Sequence, residues 1–510
     1  MQVSTSIENP NECSKKAWWN LSISTVAFTW CFAGWMLNGV LVTFLVDNGL
    51  FQWEAQEIGW LIGIPVLSGA IFRLPLGMAT DKWGGRVVFS LLLIFVAVPM
   101  FFLSYCNSFW TFFFASFGFG FSGAGFAIGI SHTSSWFPTR LQGTALGIFG
   151  AGNAGAAITL LVAPNLLNWL TDNGEYLEGW RILPQLYAAV FVLFGIIFFL
   201  STANPKKEQS IEKSFVERLK ILSCSRVWRF GMYYFFVFGG FVALSQWLIP
   251  YYVNVYSTTV VMAGVLVAIF SFPSGVIRAL GGWMSDRWGA RIVLYWVFGI
   301  SIICCFLLIV PQMDIHAPGS GVMARRAGVI TEITGNSITV NTDGIDPVIY
   351  PVNEKKSLLV SHEERNSGWL IFPRSTSWQE PIVEVGKEVK KKELLARGVT
   401  HIFFQANIWI FTLLCFIIGS VMGIGKAAVY KHIPTYYPDD VGSVGGMVGV
   451  IGGLGGFVCP VLFGYLLDIS GLWTTCWMFL AGVAFLSLIW MHRIIQKMIK
   501  REAPELYSQI

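Results

Sequence analysis

The chain has 510 residues, of which 55% are hydrophobic and only 12% are charged, with a formal net charge of +5. Soluble globular domains carry about a quarter charged residues, so this composition excludes an ordinary soluble enzyme. The 53 glycines and 22 tryptophans are typical of closely packed membrane helices with aromatic residues at the interfaces. No Lys or Arg run is interleaved with aromatics, so we expect no nucleic-acid partner.

Twelve apolar runs are long enough to cross a bilayer core of about 30 Å as helices. They comprise residues 18–46, 57–79, 87–105, 109–135, 142–165, 181–201, 228–254, 259–283, 292–311, 403–431, 443–468 and 473–493. The polar N-terminus lacks the features of a cleaved secretory signal, so the first helix is expected to direct its own insertion. The nine cysteines show no metal-ligand spacing, and we expect neither a metal nor a cofactor.

Basic residues in the short loops predict the orientation. The side shared with both termini carries Lys82, Arg86, Arg140, Lys206, Lys207, Lys213, Arg218, Lys220, Arg287, Arg291 and Lys431. The opposite loops, at 47–56, 166–180 and 469–472, contain no Lys or Arg. By the positive-inside rule both termini are cytoplasmic, and we expect a monomer in a bacterial cytoplasmic (inner) membrane.

Two segments depart from the membrane composition. The predicted organisation is an N-terminal six-helix bundle (1–203), a cytoplasmic linker (204–227), a C-terminal bundle (228–311 with 403–493), an inserted domain (312–402) and a cytoplasmic tail (494–510). The alternating stretches 328–335 and 337–341 of the insertion predict strands around a Gly-Asn turn. Helix counting places this β domain on the outer, or periplasmic, side.

An internal repeat divides the membrane part into two related halves. The segment Arg73–Arg86 recurs as Arg278–Arg291, and in each copy the first Arg precedes an Asp by eight residues. The shared pattern Gly-x-x-x-Asp-[Lys/Arg]-x-Gly-x-Arg comprises Gly77, Asp81 and Arg86 in the first copy and Gly282, Asp286 and Arg291 in the second. It resembles the loop motif of the major facilitator superfamily, which lies where the two halves rock against each other. Two halves related in this way are typical of secondary transporters.

The first Arg of each copy is predicted to lie near the bilayer midplane. Eight helical residues place Arg73 and Arg278 about 12 Å inside the cytoplasmic border. At that depth an Arg normally faces a cavity and a partner, the alternative being that it snorkels to the interface. No compensating acid is available, since the candidate acids lie at helix ends or in loops: Asp47, Glu54, Glu57, Asp172, Glu175, Glu178, Asp439, Asp440 and Asp468. Two unpaired guanidinium groups predict a site for a small flat oxyanion.

Two glycine-rich runs open helices five and eleven at equivalent positions. They span residues 147–155, which include Gly152 and Asn153, and residues 445–456, which include Gly453. Such glycines permit close helix approach and expose backbone to a small ligand. Asn153 is an amide at depth and needs a partner, which a bound anion would supply.

At these residues the chain resembles the nitrate/nitrite porter family (NarK-like) of the major facilitator superfamily. The matching stretches are 143–155, 238–250, the two arginine segments and 431–464. The resemblance implies an alternating-access carrier of nitrate and nitrite, in which Arg73 and Arg278 grip the anion and Asn153 donates to it. It also implies that Phe126, Tyr234 and Phe238 line the site, and it matches the glycine runs to the family's two nitrate signatures.

Two residues depart from the family pattern. Lys426 replaces a usual Asn, and it either snorkels to the cytoplasm or adds charge to the pathway and alters substrate preference or coupling. His132 replaces an apolar or amide residue and is either a satisfied structural histidine or a proton carrier.

The insertion is a further departure from the family. Residues 381–398 faintly resemble the barrel-sandwich hybrid fold of biotinyl and lipoyl domains but lack the hairpin that carries their cofactor. We therefore expect a scaffold or a site for a protein partner.

Without an intramembrane carboxylate, nitrate/nitrite exchange is favoured over proton/nitrate symport. Transport of another small anion, such as formate or oxalate, and a transporter-like sensor using the β domain stay open as alternatives. No set of residues points to an enzyme.

Overall fold

The computed structural model describes residues 14–137, 139–204, 223–310, 313–342, 345–353, 374–404, 406–437 and 441–502. The chain divides into two compact units. The membrane unit comprises Met1–Ile309 with Thr412–Ile510, and the inserted unit comprises Val310–Phe411.

The membrane unit is a helical bundle whose helices we number as spans 1 to 12. The first half contains Lys15–Trp35 with Leu37–Asp47 (span 1), Ala55–Trp83 (span 2), Gly85–Leu103 (span 3), Phe109–Phe119 with Gly125–Ser134 (span 4), Thr139–Gly150 with Gly155–Leu170 (span 5) and Ile182–Ser201 (span 6). The second half contains Ser225–Tyr234 with Phe241–Tyr256 (span 7), Val260–Val276 with Arg278–Trp288 (span 8), Ala290–Leu308 (span 9), Ile408–Tyr436 (span 10), Val441–Ser470 (span 11) and Thr475–Glu502 (span 12).

Among the described residues, eleven helices are long and apolar enough to cross a membrane, and the bent pair of span 8 makes twelve. A small β region lies in sequence between spans 9 and 10. The predicted fold class is therefore confirmed: the membrane part of the chain is all-helical, and a small β region is inserted in the second half.

Several spans are broken next to candidate site residues. Span 5 passes through a 3₁₀ turn at Ala151–Ala154 that contains Asn153, and span 7 passes through a π turn at Phe235–Gly240 that contains Phe238. Span 8 bends by 45° immediately before Arg278. Such irregular turns inside helices frequently mark functional positions.

The duplicated motif forms the same turn in both halves. Spans 2 and 8 end at Gly84 and Gly289, whose φ angles are +84° and +86°. Side chains with a Cβ rarely adopt this backbone conformation, so glycine is required at both turns.

The two halves pack closely at the ends of the spans that lie opposite these motif turns. A Cβ on Gly59 of span 2 would lie 2.5 Å from the carbonyl oxygen of Pro460 in span 11. A Cβ on Gly264 of span 8 would lie 2.2 Å from the carbonyl oxygen of Leu160 in span 5. The backbone N–H of Gln56 also donates to a carboxylate oxygen of Asp468 at 3.0 Å. The bundle is therefore closed on this side.

The inserted unit consists of two antiparallel sheets in its described residues. Its strands are β1 (Met313–Met323), β2 (Gly328–Thr334), β3 (Ser337–Thr342), β4 (Ile345–Pro351), β5 (Arg374–Pro381), β6 (Glu388–Val389) and β7 (Leu394–Phe404). The strand orders are β1-β7-β5 and β4-β3-β2-β6. Alternate residues such as Ile330, Ile338, Val340 and Leu395 point into a shared apolar core.

A charged turn precedes β7. The backbone N–H of Lys390 donates to Glu393 at 2.8 Å, and the Lys387 ammonium lies 3.2 Å from the same carboxylate. These two donors lower the pKa of Glu393, which therefore stays ionised near neutral pH.

Leu395 is fully buried in the core of the inserted unit, so Leu395→Ala is expected to destabilise that unit by about 2–5 kcal/mol. Hydrogen exchange measured by mass spectrometry should become faster in peptides from Val310–Phe411 and stay unchanged in the spans. The control is Ile349→Ala, because Ile349 is 66% exposed in the same unit. Equal exchange rates in the two variants would contradict this core.

Candidate anion site between the two halves

A cavity of about 350 Å³ lies between the two halves of the membrane unit. Its lining residues are Arg73, Leu74, Gly77, Asp81, Phe126, Ala127, Ile130, Ser131, Ser134, Leu146, Arg278, Tyr430, Ile433, Gly445, Gly446 and Gly449. Asp81, Ser134 and Gly445 stand near helix ends on the side of the motif turns. The cavity therefore runs from the two arginines toward that side, opposite the closed side.

Arg73 of span 2 is buried, with 4% of its surface exposed. Its Nε donates to the carbonyl of Gly123 at 3.3 Å, and its Nη1 donates to the carbonyl of Gly449 at 2.9 Å. The remaining guanidinium N–H groups are left for a ligand. The charge also lies near three rings, at 5.4 Å from the centroid of Trp35, 5.5 Å from Phe126 and 5.2 Å from Phe238.

The guanidinium group of Arg278, in span 8, has fewer hydrogen-bond partners than that of Arg73. Its Nη1 is buried and makes no hydrogen bond, and its Cζ lies 5.5 Å from the ring centroid of Tyr430. Among the described residues no carboxylate forms an ion pair with Arg73 or with Arg278. The cavity thus holds two guanidinium groups from opposite halves. The carboxylate among its lining residues, that of Asp81, accepts a hydrogen bond from Ser131 and forms no ion pair with either arginine.

Each arginine rests against the glycine-rich run of the other half. A Cβ on Gly453 of span 11 would lie 3.3 Å from Nη1 of Arg73, and a Cβ on Gly150 of span 5 would lie 3.4 Å from Nη1 of Arg278. A larger side chain at either position would push the guanidinium group away. The glycine runs therefore provide the space into which the opposing arginine reaches.

Aromatic rings line the site around Arg73. The rings of Tyr234 and Phe238 are stacked with centroids 5.0 Å apart, and Tyr430 meets Tyr234 edge-on at 5.0 Å. Phe126 and Tyr430 face the cavity itself. Tyr234 and Phe238 stand behind this lining, and the buried Tyr234 hydroxyl makes no hydrogen bond within the described structure.

Asn153 lies in the broken part of span 5 with 1% of its surface exposed. Neither its amide nitrogen nor its amide oxygen makes a hydrogen bond within the described structure. A Cβ on Gly275 of span 8 would lie 3.7 Å from the carbonyl carbon of Asn153. The backbone of Asn153 therefore packs against span 8 where the two halves meet. Asn153 is not among the residues that line the cavity.

The two predicted substrate-binding glycines have different surroundings. Gly453 is next to Arg73, as described above. A Cβ on Gly152 would instead lie 2.5 Å from the Phe28 ring and 3.2 Å from the carbonyl oxygen of Thr25. Gly152 therefore allows close packing of spans 1 and 5.

Lys426 of span 10 does not snorkel to the interface, since it has no exposed surface. Its Nζ donates to the Ser274 hydroxyl at 2.9 Å and lies 3.2 Å from the ring centroid of Phe241. It also lies 5.9 Å from the centroid of Phe238, the ring that Arg73 contacts. Lys426 therefore places a buried basic side chain behind the aromatic lining.

His132 of span 4 is 2% exposed and packs against Trp136, Phe198 and the backbone of Gly85. Within the described structure neither ring nitrogen makes a hydrogen bond. His132 is therefore not a structural histidine whose ring nitrogens are hydrogen-bonded. It also does not line the cavity.

The motif residues make contacts within their own halves. Asp81 accepts a hydrogen bond from Ser131 at 2.6 Å, and Asp286 pairs with Lys431 at 2.5 Å. Arg86 Nε donates to the carbonyl of Phe199 at 2.7 Å, and Arg291 donates to the Tyr436 hydroxyl. Gly77 lines the cavity, and Gly282 has open space beside it.

Sequence reasoning missed the backbone acceptors and one ring of the site. The carbonyl groups of Gly123 and Gly449 carry no side-chain signal, so only the fold identifies them. Tyr430 follows Lys426 by four residues and therefore lies on the same helix face. This spacing in the sequence could have identified Tyr430 as a site residue. Among the described residues no cluster of His, Cys, Asp or Glu could hold a metal ion.

The model of the Major Facilitator Superfamily matches residues 23–342 and 394–506. The chain belongs to the Major Facilitator Superfamily. The unmatched residues 343–393 fall inside the inserted unit of this transporter. The superfamily places the chain in a non-enzymatic class of integral membrane proteins.

Relatives within the superfamily confirm the predicted nitrate/nitrite porter (NarK-like) family. The "Probable nitrate/nitrite antiporter NarK1" of Thermus thermophilus is 37% identical over 492 residues, covering 95% of this chain and 93% of the relative. The "Nitrite extrusion protein" of Bacillus subtilis (strain 168) is 27% identical over 311 residues, covering 61% of this chain and 76% of the relative. The "Probable nitrate transporter NarT" of Staphylococcus aureus (strain JH9) is 24% identical over 483 residues, covering 94% and 97%.

Solved transporters share the fold at low sequence identity. An inward-facing, occupied bacterial homologue of the human lysosomal transporter Spinster aligns with a TM-score of 0.60 and 14% identity, covering 94% of this chain and 97% of that chain. The nucleoside transporter NupG aligns with a TM-score of 0.57 and 12% identity, covering 93% and 99%. These similarities concern the fold alone.

Replacing either cavity arginine by lysine keeps the charge but removes the planar fork. With nitrate as the probe anion, Arg73→Lys and Arg278→Lys are each expected to weaken binding about 10- to 100-fold, the value of one or two charge-assisted hydrogen bonds. Calorimetric titration of the purified variants provides the measurement. Arg181→Lys, outside the cavity, is the control, and wild-type affinity in both cavity variants would show that the forks do not hold the anion.

Removing the amino group of Lys426 should weaken anion binding without removing the site. A charge at roughly 10 Å contributes about 1.5 kcal/mol at an effective dielectric constant of about 20, so Lys426→Met should raise the nitrate dissociation constant about tenfold. Ser274→Ala removes the hydrogen bond of Lys426 and keeps its charge, so its affinity should stay near that of the wild type. A larger loss in Ser274→Ala than in Lys426→Met would contradict a charge effect.

Proposed function

We propose that this chain is a secondary carrier that exchanges nitrate and nitrite by alternating access across the bacterial cytoplasmic membrane. The observation that carries the proposal is the pair of arginines Arg73 and Arg278, one from each half, which line one cavity and form no ion pair within the described structure. A guanidinium fork suits a small planar oxyanion because it donates parallel hydrogen bonds to two of its oxygens.

The residues in and around the cavity fit a small anion. The amide of Asn153 is buried and unsatisfied, so a bound oxyanion would supply the acceptor that its nitrogen lacks. Phe126 and Tyr430 form an aromatic wall that limits the size of the ligand, with Tyr234 and Phe238 packed behind it. The relatives, which are named as a nitrate/nitrite antiporter, a nitrite extrusion protein and a nitrate transporter, support nitrate and nitrite as the anions.

The charge balance favours exchange over symport with protons. The empty site holds the charges of Arg73 and Arg278, with Lys426 behind them, and moving uncompensated charge through a low-dielectric environment is costly. A bound monoanion lowers that charge, so the halves reorient most readily when an anion is loaded. Among the described residues no carboxylate contacts the arginines to carry a proton in its place.

The conformation and orientation complete the proposal. The cavity extends to the side of the motif turns, where the Lys- and Arg-rich loops lie, and the positive-inside rule makes this side cytoplasmic. We therefore infer an inward-facing state with both termini in the cytoplasm and residues 312–402 outside. Exchange then requires the halves to part around Gly59 and Gly264 while they close over the cavity.

The test is nitrate uptake into proteoliposomes of the purified full-length protein. One set of vesicles contains nitrite at equal pH on both sides, and the other has an inward proton gradient and no internal anion. Stimulation by internal nitrite alone is the expected result. Stimulation by the proton gradient alone would replace exchange with symport and make His132 and Lys426 the coupling candidates.

Two further measurements test the alternatives of another substrate anion and of a sensor that uses the inserted unit. External oxalate or formate should not displace nitrate, whereas strong competition by either would change the substrate. A variant lacking residues 312–402 should retain exchange, because the proposed anion site lies wholly in the membrane unit. Loss of flux in a correctly inserted deletion variant would give the inserted unit a direct part in transport.

A further inference from the structure

A second group of unpaired basic residues lies away from the cavity, at the motif-side ends of spans 7, 9 and 10. Arg226 and Arg229 belong to span 7, Arg291 to span 9 and His432 to span 10. We call this group the basic crevice. Only Arg291 among its members belongs to the repeated motif, and the exchange proposed above leaves Arg226 and Arg229 without a role.

The three arginines of the crevice converge on two aromatic rings. Arg226 Cζ lies 4.7 Å from the ring centroid of Tyr436, and Arg291 donates to the hydroxyl of the same tyrosine. Arg229 Cζ lies 5.4 Å from the centroid of Phe230. His432 stacks on that ring with centroids 5.3 Å apart and an interplanar angle of 4°.

This arrangement concentrates positive charge without an anion. Within the described structure none of the three arginines forms an ion pair, and each is half-buried. Like charges gathered around neighbouring rings repel one another, and partial burial strengthens the repulsion. The rings offset it only in part, since a cation–π contact contributes about 0.5–2 kcal/mol. An anion bound among these arginines would offset the remaining repulsion.

The surroundings of the crevice fit a lipid better than a soluble anion. Beside Arg229, Arg291 and His432 lies an apolar face of span 12, formed by Met491, Ile494, Ile495 and Met498. Trp228, next to Arg229, has 49% of its surface exposed and is a residue type typical of the membrane interface. Basic pockets between helix ends on the cytoplasmic side bind the headgroups of anionic lipids.

We propose that the basic crevice binds the phosphate headgroup of an anionic phospholipid in the leaflet on the motif side. The guanidinium groups of Arg226, Arg229 and Arg291 donate to the phosphate oxygens, and the acyl chains lie along the apolar surface beside span 12. The lipid thereby joins spans 7, 9, 10 and 12 at their ends on the motif side.

The experiment measures thermal unfolding and lipid binding of the purified full-length protein in detergent. Phosphatidylglycerol is titrated against the wild type, with phosphatidylcholine as the neutral lipid. Phosphatidylglycerol should raise the unfolding temperature saturably, and Arg226→Gln with Arg229→Gln should weaken its binding about fivefold for each arginine removed. The matched control replaces Arg493 and Lys497, exposed basic residues near the same end of span 12, by Gln.

Each alternative occupant has its own outcome. Equal weakening in the control pair would reduce the effect to general surface charge and overturn the site. Equal stabilisation by inorganic phosphate alone would assign the crevice to a soluble anion. The linker glutamates are tested by the triple variant Glu208→Gln, Glu212→Gln and Glu217→Gln. If this variant destabilises the lipid-free protein as much as the double variant Arg226→Gln with Arg229→Gln does, the linker supplies the counter-ion and the proposal fails.

A folding defect is distinguished from a lost site by the conservative variant Arg229→Lys. It keeps the charge, so it should keep most of the lipid response. Loss of the response in Arg229→Lys together with unchanged binding in the Gln pair would contradict phosphate binding. Nitrate/nitrite exchange is measured separately, so failure of the lipid site leaves the anion site untouched.

Discussion

The placement of two guanidinium groups inside the membrane unit, with no carboxylate paired to either among the described residues, is the constraint on which this structure depends. Arg73 and Arg278 lie in the membrane unit, where a charge is tolerated only beside a cavity, a partner or a ligand. The protein offers backbone carbonyls to Arg73 and aromatic rings to both, which stabilises the cations without neutralising them. The charge that remains is available to an anion, and anion binding therefore changes the energy of the whole bundle.

The glycine runs connect this charge to movement of the halves. Gly453 and Gly150 leave room for the guanidinium group of the opposite half, so each arginine contacts both halves at once. Sliding or rocking of one half changes both contacts together. An anion held between Arg73 and Arg278 would thus be coupled to the relative position of the halves without any long relay.

Positive charge recurs in three places with different surroundings. In the cavity it faces open space, at Lys426 it is enclosed by Phe241 and Ser274, and in the basic crevice it gathers around Tyr436 and Phe230. The inserted unit has its own core around Leu395 and contributes none of these charges. Transport and attachment to lipid are thus proposed for the membrane unit alone.

The sequence by itself determined the twelve spans, the duplicated motif and the two deep arginines, because these follow from local hydropathy, spacing and the cost of burying charge. It also indicated Asn153 and the glycine runs. It did not determine that Gly152 packs on span 1, that Lys426 turns inward, or that His132 lacks a hydrogen-bond partner. Those outcomes, like the pairing of Arg73 with the Gly449 carbonyl, depend on contacts between residues far apart in the chain. Only the tertiary structure decides them, because a local sequence pattern determines which face of a helix is buried but not which atoms of other helices contact that face.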